Sequence, residues 1–282
     1  MRLTALLKVA LAGAALVVLA GCGGGGSSKK CYMPTKINYL TKDSRGVEEN
    51  KTFDLTYDGN GYLVKQVLHS VIKRTNNRVD NFDICIEYSY NDKYLLEKEV
   101  TYDGLKCEGN PEGKFTYEYN SDSLLIKKMQ YSQLDDNSLV NDANITYSYY
   151  DNKKLKEIKV DGNLRKKFTY NGNTVIEEDV SINREEKFVY DNKNRVIKYY
   201  DRGTLKAEYS YNDKGYVDKI RYAEANKTLP IEYKYDKNGN IINAKEEFEG
   251  RFIKLKLEWQ EFDACNHKED IKDYFYIQEP SK

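Results

Sequence analysis

Only two histidines, His69 and His267, accompany 45 acidic side chains in this chain of 282 residues. Each stands alone. No Gly-x-Ser-x-Gly elbow and no His-x-x-x-His pair occurs, so the sequence shows neither a serine-hydrolase nucleophile nor a zinc-protease ligand pair. A lone histidine in a strand is a structural residue first. Two carboxylates flanking a glycosidic bond could hydrolyse it, yet nothing in the sequence selects two. Asp236-Lys237-Asn238-Gly239-Asn240 with Glu247 offers oxygen ligands at the first, third, fifth and twelfth positions of a calcium loop. Ile241 stands where that loop needs glycine, and the flanks read as strands. The segment is therefore expected to be a hairpin turn without a metal. The reading is of a non-enzymatic protein with no cofactor.

The cysteines are Cys22, Cys31, Cys85, Cys107 and Cys265. The last four allow three pairings, and their spacings do not fit a zinc site. Cys85 and Cys107 flank one hairpin and the loop behind it, which makes them the expected pair. Cys31 and Cys265 sit near opposite chain ends. They could join only if the first and last parts of the structure meet.

Residues 1–21 read as a leader. Arg2 and Lys8 give it a basic start, and Val9 to Ala20 carries no charge. That run is shorter than the about 20 residues a membrane span needs and fits a signal-peptide core. Leu19-Ala20-Gly21-Cys22 resembles a bacterial lipobox. The resemblance implies cleavage before Cys22 and acylation there, with several acyl chains giving a stable membrane anchor. Residues 22–30 then form a tether, Gly23-Gly24-Gly25-Gly26-Ser27-Ser28, closed by Lys29-Lys30. Gly23 rather than aspartate follows Cys22. By resemblance to lipoprotein sorting, this implies the outer membrane. Residues 31–282 are expected to form one domain.

Basic and acidic residues are equal in number, 45 each. Losing Arg2 and Lys8 with the leader makes the mature chain slightly acidic, which argues against nucleic acid as a partner. The two signs are interspersed, as on solvated sheet faces.

The architecture follows from a repeated unit. Eight times an aromatic-x-Tyr or Leu-x-Tyr pair runs into a polar turn, at Tyr57-Asp58, Tyr90-Asn91, Tyr119-Asn120, Tyr149-Tyr150, Tyr170-Asn171, Tyr190-Asp191, Tyr211-Asn212 and Tyr235-Asp236. Phe168 and Tyr170 share one strand face while Lys167 and Thr169 share the other, because strand side chains alternate. Asn171-Gly172 and Asp58-Gly59 are strong hairpin signals. Outgoing strands are expected to begin at Leu95, Leu124, Leu155, Val175, Val196, Val217 and Ile241. Two strands per unit plus the ends give about 16–18 strands. The expected fold is all-β, with repeated antiparallel hairpins in one large curled or closed sheet, because open sheets beyond about ten strands curl or close. The chain ends, around Tyr32 and after Asp263, read as the least regular parts.

These units resemble the YD-repeat (rearrangement-hotspot-like) family over most of Phe53 to Phe248. The resemblance rests on Tyr-Asp or Tyr-Asn, a Gly/Asn turn and a following aliphatic residue. It implies a strip of hairpins wound into a hollow shell, and kinship with bacterial lipoproteins, some porin-like in fold. Three Asn-x-Thr sequons, at Asn50, Asn144 and Asn226, each have an acid two residues earlier. That pattern resembles the acceptor of bacterial oligosaccharyltransferases and marks N-glycosylation candidates. The functional expectation is an outer-membrane, lipid-anchored binding or scaffold module for a glycan or an envelope protein. The alternatives are a carbohydrate-active enzyme on a β scaffold and a porin-like outer-membrane barrel component.

Overall fold

The computed structural model describes residues 31–248 and 251–262. They form nineteen strands and no helix. The first six are β1 (Cys31–Lys42), β2 (Glu48–Tyr57), β3 (Leu63–Lys73), β4 (Val79–Tyr90), β5 (Leu96–Asp103) and β6 (Gly113–Tyr119). Then come β7 (Leu125–Gln133), β8 (Leu139–Tyr149), β9 (Leu155–Val160), β10 (Asn163–Asn171), β11 (Thr174–Asp179) and β12 (Arg184–Tyr190). The series ends with β13 (Val196–Asp201), β14 (Thr204–Tyr211), β15 (Val217–Tyr222), β16 (Lys227–Pro230), β17 (Glu232–Tyr235), β18 (Ile241–Phe248) and β19 (Arg251–Phe262).

All lie in one antiparallel sheet in which sequence neighbours are spatial neighbours. The sheet closes on itself because β1 pairs with β2 on one side and with β19 on the other. The seam is long, running from Cys31 opposite Phe262 to Lys42 opposite Phe252. Closure leaves no sheet edge at either chain end, so no row of unpaired backbone groups is offered to another molecule there. β16 and β17 are two halves of one stave, broken around Pro230 and Ile231. The first half pairs with β15 and the second with β18. Proline has no N–H to give to a ladder, so it breaks the stave here.

The eight polar turns lie at one end of the ring, the turn rim. The loops between hairpins lie at the other, the loop rim. Seven turns share one geometry. At Asn91 the backbone N–H donates to the Leu95 carbonyl at 2.9 Å, and Tyr94 N–H donates back to the Asn91 carbonyl at 2.8 Å. Asn91 Oδ1 accepts from the N–H groups of Lys93 and Leu95. The same side-chain bracket occurs at Asp58, Asn120, Asp191, Asn212 and Asp236. Only Asp or Asn has an acceptor at the right reach, which is the physical content of the repeated Tyr-Asp/Asn. The turn around Tyr150 keeps the backbone bonds. The fourth turn position is left-handed. Gly61 and Gly239 fill it easily, but Tyr94, Ser123, Lys153 and Asn194 also hold it, at φ of 58° to 64°. The ladder shifts register just before the second tyrosine of these units, as a three-residue hairpin loop with a bulge requires. The extra residue moves the start of β5 to Leu96 and of β7 to Leu125, one later than expected. At Asn171 the turn is a two-residue one, with Asn171 facing Thr174.

The region around Tyr32 is not irregular. It begins a twelve-residue strand, whose first residues Cys31 to Pro34 pair with β19 before a register shift between Pro34 and Lys36, and whose remainder pairs with β2 as well. Cys85 and Cys107 form a disulfide with Cα atoms 5.2 Å apart. Cys265 lies outside the described residues, as do His267 and the tract 1–30 with Cys22.

Candidate functional site

A closed sheet has two walls, and burial tells them apart. In β10, Leu164, Lys166, Phe168 and Tyr170 are partly buried while every alternate residue is exposed. The partly buried wall lines the inside of the ring and carries the tyrosines.

Near the turn rim these tyrosines bind backbone. Most ladders between successive hairpins stop two residues short of the rim, as at Lys98 opposite Thr116 for β5 and β6. The Leu96 carbonyl beyond that point accepts the Tyr119 hydroxyl at 2.9 Å. The same tie joins Tyr57 to Pro34, Tyr90 to Leu63, Tyr149 to Leu125, Tyr211 to Val196 and Tyr233 to Val217. A tyrosine thus serves twice, with its ring in the wall and its hydroxyl capping a carbonyl that the ladder leaves over. Cations sit on some of the rings, as with Lys214 3.6 Å from the Tyr235 centroid and Arg195 4.2 Å from that of Tyr211. A cavity of about 280 Å³ lies here, lined by Asn91, Lys93, Glu97 and Tyr119 among others.

Farther from the turn rim the same inner wall carries charge, contrary to the expectation that charges belong to the solvated face. Register sets Phe168, Glu177, Glu186 and Asp201 side by side across β10 to β13. Lys166 pairs with Glu177. The Arg184 guanidinium spans Glu186 and Asp201, at 3.0 Å each. The Tyr199 hydroxyl donates to Glu186 at 2.7 Å. Beside the seam, Lys51 is buried with its ammonium 3.1 Å from Glu49. Burial pushes the Glu99 carboxyl above the ordinary range, opposed by Lys128 and a Tyr117 hydrogen bond. Burial likewise lowers the Lys128 ammonium, whose Nζ stands 3.9 Å from the Phe115 centroid. Glu246 is raised by burial and accepts the Tyr222 hydroxyl at 3.0 Å. Tyr39 is pushed up to about 12 by burial and by the charges of Glu49 and Glu246.

The outer wall carries some apolar residues, such as Ile176 opposite Thr169, but is polar over long stretches. It presents Arg165, Lys167 and Thr169 from β10 and Lys254, Lys256 and Glu258 from β19, all exposed. His69 is on this wall and pairs with Asp83. Thr52 stands opposite His69 but donates its hydroxyl to Asn38 at 3.1 Å, so the three do not form a nucleophile relay. Asp236 spends its carboxylate on its own turn, and Glu247 pairs with Lys245 on β18. The calcium-loop spacing is therefore a hairpin, and no cluster of metal-ligating side chains occurs among the described residues. Of the sequons, Asn50 is exposed on β2, Asn144 is partly covered on β8 and donates to Asn141, and Asn226 is exposed in a tight turn.

Fold and wall together define a closed antiparallel barrel with a tyrosine-lined, charge-paired interior. No protein-family model matches the chain, and no curated protein matches it. Among solved structures, a porin-like protein from Bacteroides uniformis is similar at 12% identity and a TM-score of 0.45, over 80% of this chain and 96% of that one. A porin-like protein from Bacteroides vulgatus is similar at 11% identity and a TM-score of 0.17, over 85% and 86%. The TcdB2-TccC3 structure is similar at 12% identity and a TM-score of 0.30, where 79% of this chain spans 14% of the other.

Proposed function

We propose that this protein is a non-enzymatic envelope lipoprotein, a binding or scaffold barrel held outside the bilayer by an acylated Cys22. The observation that carries the reading is the outer wall. A strand facing lipid presents apolar residues outward, and a lysine or arginine at the bilayer midplane costs about 2–4 kcal/mol. Here Arg165, Lys167, Lys254 and Lys256 point outward and are exposed. Membrane attachment then falls to the lipobox. A scaffold role is supported by the interior, where the acids that could serve glycoside hydrolysis are matched with Arg184, Lys166, Lys51 and Lys128. Glycans or envelope proteins are the partner classes. A porin-like barrel spanning the outer membrane is the second reading, favoured by the closed ring.

Cys22→Ser separates the two. Under the first reading the variant leaves the membrane fraction and escapes lipobox processing. If it stays with membranes after a high-salt wash, the barrel itself is the membrane element and the first reading fails.

A further inference from the structure

The barrel has two different ends, and the chain topology assigns them. β1 runs from Cys31 toward the turn at Asp43 on the loop rim, so its first residue lies at the turn rim. β19 returns antiparallel beside it and ends at Phe262, also at the turn rim. The tract that follows Cys22 therefore joins the barrel at the turn rim. A chain of nine residues would reach about 17 Å r.m.s. if flexible. β1 and β19, which flank the entry point, are twelve residues each, about 40 Å along the strand. Standing on the turn rim needs no stretching of the tether. Barrel strands tilt by about 35–45°, which makes such a barrel about 30 Å high, so standing on the loop rim needs the tether at full extension, about 30 Å.

The turn rim carries groups that tolerate that contact. The turn rim exposes Tyr94 and Tyr150 beside Lys93, Lys153 and Lys193. Tyrosine and lysine suit the headgroup layer, with a polar tip on an apolar body. The loop rim exposes the aliphatic side chains Leu105, Leu134, Val180 and Ile182 among charges such as Arg45 and Arg78, so the reach of the tether, and not apolar surface, decides between the rims.

We infer that the acylated protein stands on its turn rim against the lipid headgroups, and that the loop rim faces the aqueous compartment. This rests on the lipid anchor proposed above. The test uses the acylated protein on phosphatidylcholine vesicles that carry a nitroxide on the headgroup. Trp259, the one tryptophan, is replaced by Phe, and a reporter is placed at either rim by Tyr94→Trp or Ile182→Trp. The expected result is quenching several-fold stronger at position 94 than at 182. Limited trypsin digestion of the unmodified protein gives a second reading, with vesicles protecting Lys93 and Lys193 while Arg45 and Arg78 on the loop rim are still cut. Equal or stronger quenching at 182, or protection of Arg45 and Arg78, overturns the orientation and leaves the anchor standing. If the acylated protein fails to float with vesicles, the anchor and the orientation fall together.

Discussion

The ring of Tyr57 meets the ring of Phe262 edge-on, with centroids 5.5 Å apart and planes at 68°. Tyr57 ends β2, and Phe262 ends the last strand. Their contact spans β1 and is one of the places where the two ends of the chain are fastened together. The same tyrosine caps the Pro34 carbonyl on β1, so one side chain serves the turn rim and the closing seam at once.

Tyr119→Phe tests the carbonyl caps. It keeps the ring and deletes the donor to Leu96, so it should cost about 1 kcal/mol. Tyr131→Phe, whose hydroxyl reaches only the Met129 sulfur, should cost less. Paired urea titrations measure both. Equal midpoints would mean that the caps contribute nothing.

The turn bracket predicts changes of opposite sign. Asn91→Ala removes the acceptor for two N–H groups and should destabilise by about 1 kcal/mol, as loss of a comparable cap does. Lys153→Gly relieves a left-handed residue and should gain up to about 1 kcal/mol, less the entropy glycine brings to the unfolded chain. A loss of stability in the second variant would refute the argument for strain at that turn position.

Facing can be tested on one strand. Tyr170→Ala takes a ring from the inner wall, where it lies beside Val175 and Tyr150, and should cost a few kcal/mol. Thr169→Ala changes the exposed outer wall and should stay within about 0.5 kcal/mol. Matched thermal melts decide, and equal losses would reverse the assignment of inside and outside.

Glu246 sets a pH dependence. Its carboxyl titrates above the ordinary 4.5 because burial disfavours the charged form. The folded state therefore holds this proton more tightly than the unfolded state. The contribution is favourable at low pH and is lost as pH rises from 4.5 through the raised value. Glu246→Gln keeps an acceptor for Tyr222 and removes the titration. The variant's melting temperature should gain on that of the parent protein as pH rises from about 4. A constant difference would show that Glu246 does not titrate in that window.

The hairpins were legible in the sequence because their causes are local. Period-two alternation sets the strands, and an Asp or Asn placed to accept two nearby N–H groups sets the turns, all within about ten residues. The repeat also sets the number of strands, since β16 and β17 count as one stave and make the nineteen equivalent to eighteen. The charged interior left a trace that composition alone obscured. Lys166 is in phase with Phe168 and Tyr170, and Glu186 with Phe188 and Tyr190, so period two already put these charges on the aromatic wall. That phase, and not the overall mix of charges, decides which wall a charged residue occupies. Arg184 becomes a partner for both Glu186 and Asp201 only when β12 and β13 pair. The number of strands implied a curled or closed sheet, but the seam that closes it lay beyond the sequence. Nothing near Tyr39 signals that Leu255 will stand opposite it. That pairing depends on the twist summed over every intervening strand, a property of the whole sheet and of no segment within it.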